Sequence, residues 1–202
     1  MDRREIVAAF AEFRGDAVVV TGPGISSGLL WEAHAHPATV YNMDMAYSGP
    51  IAMGIALGAP QQRVVSLEGD GSRFAAAPSL GTMARYPLPN LTVLTLANGI
   101  WGTGDGATET TVAPEQWSGL AIACGWNPAK VVTAADLPTL RAALKKSASE
   151  PGPWFICAVT SRSTEDSAVL ADGSRRNRPR ATIDIVQSAD STREWLLAKG
   201  KA

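Results

Sequence analysis

The chain has 202 residues, 46% hydrophobic and 18% charged, with a net charge of −1. That length fits one domain over residues 1–202 with a sizeable buried core. The composition shows no basic face for nucleic acid, no basic amphipathic helix for a membrane surface, and no apolar run near the roughly 18 residues that a membrane span needs. Residues 1–13 are charged and amphipathic, unlike a secretory leader, so the expected address is the cytoplasm. Cys124 and Cys157 lie far apart without metal-ligand spacing and read as two buried, reduced thiols.

In chain order, Asp2 to Arg14 places Ile6, Val7, Phe10 and Phe13 on one helical face, and Gly15-Asp16 ends it. Ala17 to Val20 reads as a short buried strand. Thr21 to Ser27, TGPGISS, is a turn rich in glycine and hydroxyls, followed by a helix from about Ser27 to His34. His34 and His36 are the only histidines; their i, i+2 spacing points them apart on a helix, and they read as surface or loop residues. Pro37 to Tyr41 is a second short strand. Ser48 to Ala59 is small and apolar, with Gly49, Ala52, Gly54, Ala56 and Gly58. Such a helix is either tightly packed in the core or closely approached by another backbone or a cofactor, and both can hold together.

Arg63 to Leu67 is the third strand. Ser72 to Arg85 reads as mostly helical, with the regular helix starting at Pro78 or kinked there. Leu91 to Leu96 is the fourth strand. Asn98 to Pro114, NGIWGTGDGATETTVAP, is a loop long enough to expect a function. Pro114 to Cys124 is a helix with proline in its first turn, Val131-Val132 a brief strand, and Ala134 to Ser149 an amphipathic helix facing Leu137, Leu140 and Leu144 inward. Trp154 to Val159 is the last buried strand. Residues 161–180 are expected to be partly mobile before a terminal helix from about Ser191 to Lys199, docked by Trp195 and Leu196. Strands alternating with helices predict an α/β fold: a three-layer αβα arrangement with a mainly parallel central sheet.

The chemistry concentrates where two strands end. Gly69-Asp70-Gly71-Ser72 follows the third strand, and Asn98-Gly99 follows the fourth, 28 residues after Asp70. Gly-Asp-Gly alone is also an ordinary turn. In a parallel sheet, however, Asp70 and Asn98 would sit side by side at the carboxyl edge, where such folds bind ligands. A carboxylate and an amide oxygen among glycines suit Mg²⁺ carrying phosphate oxygens. Main-chain N–H groups at Gly71, Ser72 and Arg73, with the Ser72 hydroxyl, would face an anion. The pattern is neither GxxxxGK[ST] nor GxGxxG.

Read together, GDGS…ANGIWGTG resembles the motif of thiamine diphosphate (ThDP) enzymes, Gly-Asp-Gly followed at an interval by Asn. MDMAYSGPIAMGIALGAPQQRVVSLEGDGS is similar to the segment leading into that motif in ThDP-dependent decarboxylases. Residues 16–160 resemble the diphosphate-binding domain of the superfamily, with its ThDP-binding fold. The short chain and its NRPR at 177–180 look most like sulfopyruvate decarboxylase β subunits and phosphonopyruvate decarboxylases. The resemblance implies ThDP and Mg²⁺ as cofactors. It implies Asp70, Asn98 and the Ile100 carbonyl as metal ligands. Gly69, Gly71, Ser72, Arg73 and part of Thr21 to Ser27, with Gly24 and Ser26, would lie at the diphosphate. Met45 would prop the cofactor's bend, and Thr103, Gly104 and Asp105 would border the substrate.

This sequence departs from the family pattern at Glu68, where an apolar residue is usual, at Ala97, and at Ala75-Ala76-Ala77-Pro78. Asp105 sits uneasily with an anionic sulfonate or phosphonate substrate. The family also needs a glutamate at the cofactor's pyrimidine ring, carried by a separate pyrimidine-binding domain. Glu32, Glu68, Glu109 and Glu115 all fall inside the diphosphate-binding pattern. The implied protein is therefore half of a site, one subunit of an α/β hetero-oligomer that decarboxylates a small 2-oxo acid with a pyrimidine-binding α subunit. Ser48 to Gly58 and Gly99 to Pro114 are its expected contact surfaces. Other readings are a subunit of a different ThDP enzyme (synthase, lyase or 2-oxo acid oxidoreductase) or a non-catalytic relative; two distant cysteines speak against an iron–sulfur cluster.

Overall fold

The computed structural model describes residues 1–86, 88–102, 108–163, 170, 172–174 and 176–200. Six parallel strands form one sheet in the order β2-β1-β3-β4-β8-β7: β1 Val18–Thr21, β2 Thr39–Val40, β3 Val64–Gly69, β4 Leu91–Ala97, β7 Val131–Ala134 and β8 Trp154–Val159. These strands match the six apolar runs in the sequence. They are short and β-branched, and β1 and β4 are buried at every residue, as strands covered on both faces must be.

Alternate residues of each strand feed opposite layers. On one face Val19, Leu67, Leu94 and Ile156 pack with Ile6 and Phe10 of α1 (Arg3–Arg14), Leu30 of α2 (Ile25–His34) and Leu144 of α7 (Leu137–Ser149). On the other, Val18, Val20, Val93 and Phe155 pack with Ala52 of α3 (Ser48–Gly58), Met83 of α5 (Ser79–Arg85) and Trp117 of α6 (Trp117–Ala123). Local chemistry fixes the helix starts. Asp2 accepts from the Arg4 N–H at 2.7 Å while Glu5 accepts from the Asp2 N–H, and Asp136 caps α7 through the Thr139 N–H at 2.7 Å.

Several expectations change. The segment after β3 is two helices, α4 (Asp70–Ala75) and α5, with Pro78 as the N-cap of the second; proline lacks the N–H and the room a helix interior demands. The loop after β4 contains a short antiparallel pair, β5 (Ile100–Trp101) with β6 (Thr108–Glu109). The terminal helix α8 (Ile185–Ala198) starts earlier than residue 191, because Asp184 caps it through the Gln187 N–H at 2.8 Å. The histidines do not point apart. Helix α2 ends at His34, so His36 leaves the helical path and the two rings stack at 5.8 Å. Cys157 is buried, but Cys124 is only half-buried.

The small residues of α3 divide between both readings. A Cβ on Gly49 would meet the Arg73 guanidinium at 2.5 Å, whereas Gly54 and Gly58 face open space. Of residues 161–180, expected to be partly mobile, 164–169, 171 and 175 lie outside the described residues; residues 176–180 cross α2 at Gly28, where a Cβ would come within 2.1 Å of the Pro179 main chain. Among the described residues, no helix is long and apolar enough to cross a membrane.

Phe155 is fully buried in β8, with its ring edge-on to Trp126 at 5.6 Å. Phe155→Ala is expected to lower unfolding stability by about 3–5 kcal/mol in urea titrations.

Candidate functional site

The strand order turns back between β1 and β3: the chain moves outward from β1 to β2, then returns to β1's other side. A cleft opens beyond the carboxyl ends at this point, as such reversals require. Its walls are three turns, Pro23 to Ser26 after β1, Gly69 to Ser72 after β3, and Asn98 to Gly102 after β4, joined by Arg3 and Arg178. The register pairs Gly69 with Leu96, so Asp70 and Asn98 leave neighbouring strands at almost one level.

Asp70 is 1% exposed. Its Oδ2 accepts from the Gly99 N–H at 2.7 Å and its Oδ1 from the Gly71 N–H at 3.0 Å. The first bond ties the β3 and β4 turns together. It needs the Gly99 backbone at φ +72, a left-handed conformation that glycine adopts without strain. Burial pushes the Asp70 carboxyl up to about 6, and the main-chain bonds only partly offset it. Asn98 is also buried, with Oδ1 accepting from the Ile100 N–H at 3.0 Å. The Ser26 hydroxyl lines the cleft, buried and without a hydrogen-bond partner among the described residues. Trp101 closes the wall beside Gly71, its ring edge-on to Phe74 at 6.3 Å.

Glu68 and Arg73 explain each other. Both side chains are fully buried, and Arg73 Nη1 lies 2.7 Å from Glu68 Oε1, off the hydrogen-bonding line. Arg73 Nη2 donates to Ser66 Oγ at 2.8 Å, and Ser66 meets Ser48 Oγ at 2.8 Å. The other Glu68 oxygen accepts from the Ser72 hydroxyl at 2.5 Å, and Ser72 Oγ in turn accepts from the Ala46 N–H at 3.2 Å. Ala46 has φ +80, a strained value for a residue with a Cβ, and this bond helps hold it there.

Among the sequence-predicted residues, Gly24, Ser26, Gly69, Asp70, Gly71, Ser72, Asn98 and Ile100 meet in the cleft. Arg73 does not line it; its side chain turns inward because buried Glu68 needs a counter-charge. The Ser72 hydroxyl, expected to donate to an anion, donates to Glu68 instead. Met45 is half-buried in the turn beside Ser72, outside the cleft lining. Thr103, Gly104 and Asp105 lie outside the described residues. Sequence reasoning missed Arg3, which has no local signal on an amphipathic helix, and Arg178, which lies within the NRPR run. Among the described residues no three His, Cys, Asp or Glu cluster, so a metal here would depend on Asp70, Asn98, main-chain oxygen and the ligand's own oxygens. Burial, then the charges of Asp70 and Glu115, push the Cys157 thiol up to about 12, which disfavours its thiolate.

A family profile described as thiamine pyrophosphate enzyme, C-terminal TPP binding domain, matches residues 31–158. The chain is 30% identical over 147 residues to a phosphonopyruvate decarboxylase of Streptomyces viridochromogenes, covering 72% of this chain and 36% of that protein. It is 29% identical over 160 residues to sulfopyruvate decarboxylase subunit beta of Methanococcus maripaludis, covering 78% of this chain and 83% of that one. It thus spans about a third of the first relative's length and most of the second's. The fold matches the X-ray structure of a candidate thiamin diphosphate-dependent enzyme from Mycobacterium smegmatis, with a TM-score of 0.66 and 22% identity, over 80% of this chain and 32% of that one.

Arg73→Ala is expected to cost about 3–5 kcal/mol in denaturant titrations, because it strands a buried carboxylate; the double change Glu68→Leu/Arg73→Met is expected to recover much of that loss. Asp70 supplies a pH test. Its folded-state value of about 6 lies above the ordinary 3.8, so its contribution to stability is full below pH 4 and is lost as the pH rises through 6. Without divalent cations, wild type is expected to lose about 2 kcal/mol relative to Asp70→Asn between pH 4 and pH 7, read from paired unfolding curves.

Proposed function

Because the chain belongs to the thiamine pyrophosphate enzymes, through their C-terminal TPP binding domain, we propose that it is the diphosphate- and Mg²⁺-binding subunit of a two-subunit 2-oxo acid decarboxylase of the sulfopyruvate or phosphonopyruvate type. The convergence of Asp70, Asn98 and Ile100 with two glycine turns at the sheet's reversal carries this reading. Oxygen donors suit Mg²⁺, and a buried carboxylate held at about 6 gains most from a cation beside it. The Ser26 hydroxyl, buried without a partner among the described residues, would donate to a diphosphate oxygen.

Thiamine diphosphate, when bound, supplies the electron sink that lets a 2-oxo acid lose CO₂. This chain's share is holding and shielding. Asp70, Asn98 and the Ile100 carbonyl would hold the metal. Gly24, Ser26 and the main chain of residues 69–72 would face the diphosphate. Glu68, through Ser72, keeps the Ala46 turn and neighbouring Met45 in place. Trp101, which lines one wall, would shield it from water.

Activation is assigned to a partner. Glu32 and Glu109 sit on the surface in exposed ion pairs with Arg4 and Arg162, Glu115 is exposed, and Glu68 is locked to Arg73; none lines the cleft. A pyrimidine-binding α subunit would bring the missing glutamate. Helix α3 offers it an apolar surface, with Ile51 39% and Leu57 48% exposed beside Tyr47 at 57%. A relative named as a β subunit, most of whose length this chain covers, supports the hetero-oligomer. A cytoplasmic address is part of the proposal, on the two free thiols alone.

Calorimetry with thiamine diphosphate and Mg²⁺ tests the cofactor claim. Wild type is expected to bind with an absolute requirement for Mg²⁺, and Asp70→Ala to bind about 100-fold more weakly. Equal binding by both proteins would sink it. CO₂ release from sulfopyruvate or phosphonopyruvate is expected only when a pyrimidine-binding chain is added; full activity of the isolated chain would remove the partner from the scheme.

A further inference from the structure

Among the described residues, the charged groups lining the cleft are Asp70, Arg3 and Arg178, so two guanidiniums line it. The two guanidiniums come from opposite ends of the sequence. The start of the chain continues the end of β8: the Ser161 N–H donates to the Met1 carbonyl at 2.8 Å, and the Met1 amino group to the Val159 carbonyl at 3.4 Å. This sets α1 so that Arg3 Nη2 donates to Ser163 Oγ at 3.0 Å beside the cleft. Arg178 is set by the crossing at Gly28, where the chain passes so close to α2 that no Cβ fits beneath Pro179. From there its Nη1 donates to the Gly102 carbonyl at 3.4 Å, on the turn that follows Asn98. The buried, unpartnered Ser26 hydroxyl lines the same cleft.

We propose that Arg3 and Arg178 form a two-armed clamp for an oxyanion in this cleft. A planar fork of donors on each arm suits the oxygens of phosphate, phosphonate, sulfonate or carboxylate. The clamp rests on the cofactor reading above, which places an anionic ligand here. Two sources share the chemistry: the diphosphate of the cofactor and the acidic group of a 2-oxo acid.

The test is calorimetry on the full chain with Mg²⁺ and inorganic pyrophosphate, then with 3-phosphonopyruvate added to chain already saturated with thiamine diphosphate. Arg3→Gln and Arg178→Gln are each expected to weaken one of these ligands about tenfold, with Arg178→Lys recovering part of the loss. Gly28→Ala, which displaces the crossing without touching either arginine, is expected to reproduce the Arg178→Gln loss. Weakened pyrophosphate binding assigns the clamp to the cofactor; weakened phosphonopyruvate binding alone assigns it to the substrate. Wild-type affinity for both ligands in both glutamine variants overturns the clamp, as does a wild type that binds neither. Asp70→Ala separates the two levels: if it binds Mg²⁺ and pyrophosphate like wild type, the metal-site reading fails, while the arginine variants still decide the clamp.

Discussion

A carboxylate buried at the end of a strand must be compensated, and the Asp70 turn is organised around that need. Main-chain N–H groups from two adjacent turns supply part of the compensation. One comes from Gly99, whose left-handed backbone is what lets the β4 turn fold back over β3. The compensation is incomplete, since burial still pushes the carboxyl up to about 6. A group in that state gains from a nearby positive charge. The same feature that lowers the stability of the ligand-free chain at neutral pH therefore favours a cation at the junction of three turns.

A second buried acid two residues earlier is handled differently. Glu68 has a full counter-charge in Arg73 and shares its oxygens with Ser72. A buried pair of this kind gains little net stability, because desolvation offsets attraction. Its effect here is positional. The pair fixes the Ser72 hydroxyl, and that hydroxyl holds the strained Ala46 turn against the Gly-Asp-Gly segment. An apolar residue at 68 would fill the same space without reaching Ser72, so a departure from the family pattern becomes a local support for the site.

The sheet and most of the cleft were legible in the sequence for two physical reasons. Buried parallel strands read as continuous apolar runs, and even the half-buried β7 kept its Val131-Val132 pair, so all six were visible; only their ends moved, as in β2, where two residues pair of the five expected. Turns at strand ends favour glycine and short polar side chains, so Asp70 and Asn98 stood out, while Gly24 and Ser26 were named only through the family resemblance. Helix limits were harder. The start of α8 was hidden because Ser188-Ala189-Asp190-Ser191-Thr192 has weak helical preference, and burial of Ser188 and Thr192 overrides it. The histidine pair was misplaced for another reason: the helix ends at His34 as expected, and helical spacing does not extend to His36 two residues beyond it.

Local chemistry, then, determined which residues could form strands, turns and caps, and marked the acid and the amide at the two strand ends. Periodicity and turn preference are short-range properties, written within a few residues of where they act. Only the tertiary structure decided what those residues face. It turned Arg73 away from the cleft toward Glu68, gave the Ser72 hydroxyl to that pair, and left Ser26 without a partner among the described residues. It also brought Arg3 and Arg178 to the same cleft. Electrostatic pairing and close backbone packing act between positions remote in the chain, and no spacing within either segment reports on the other.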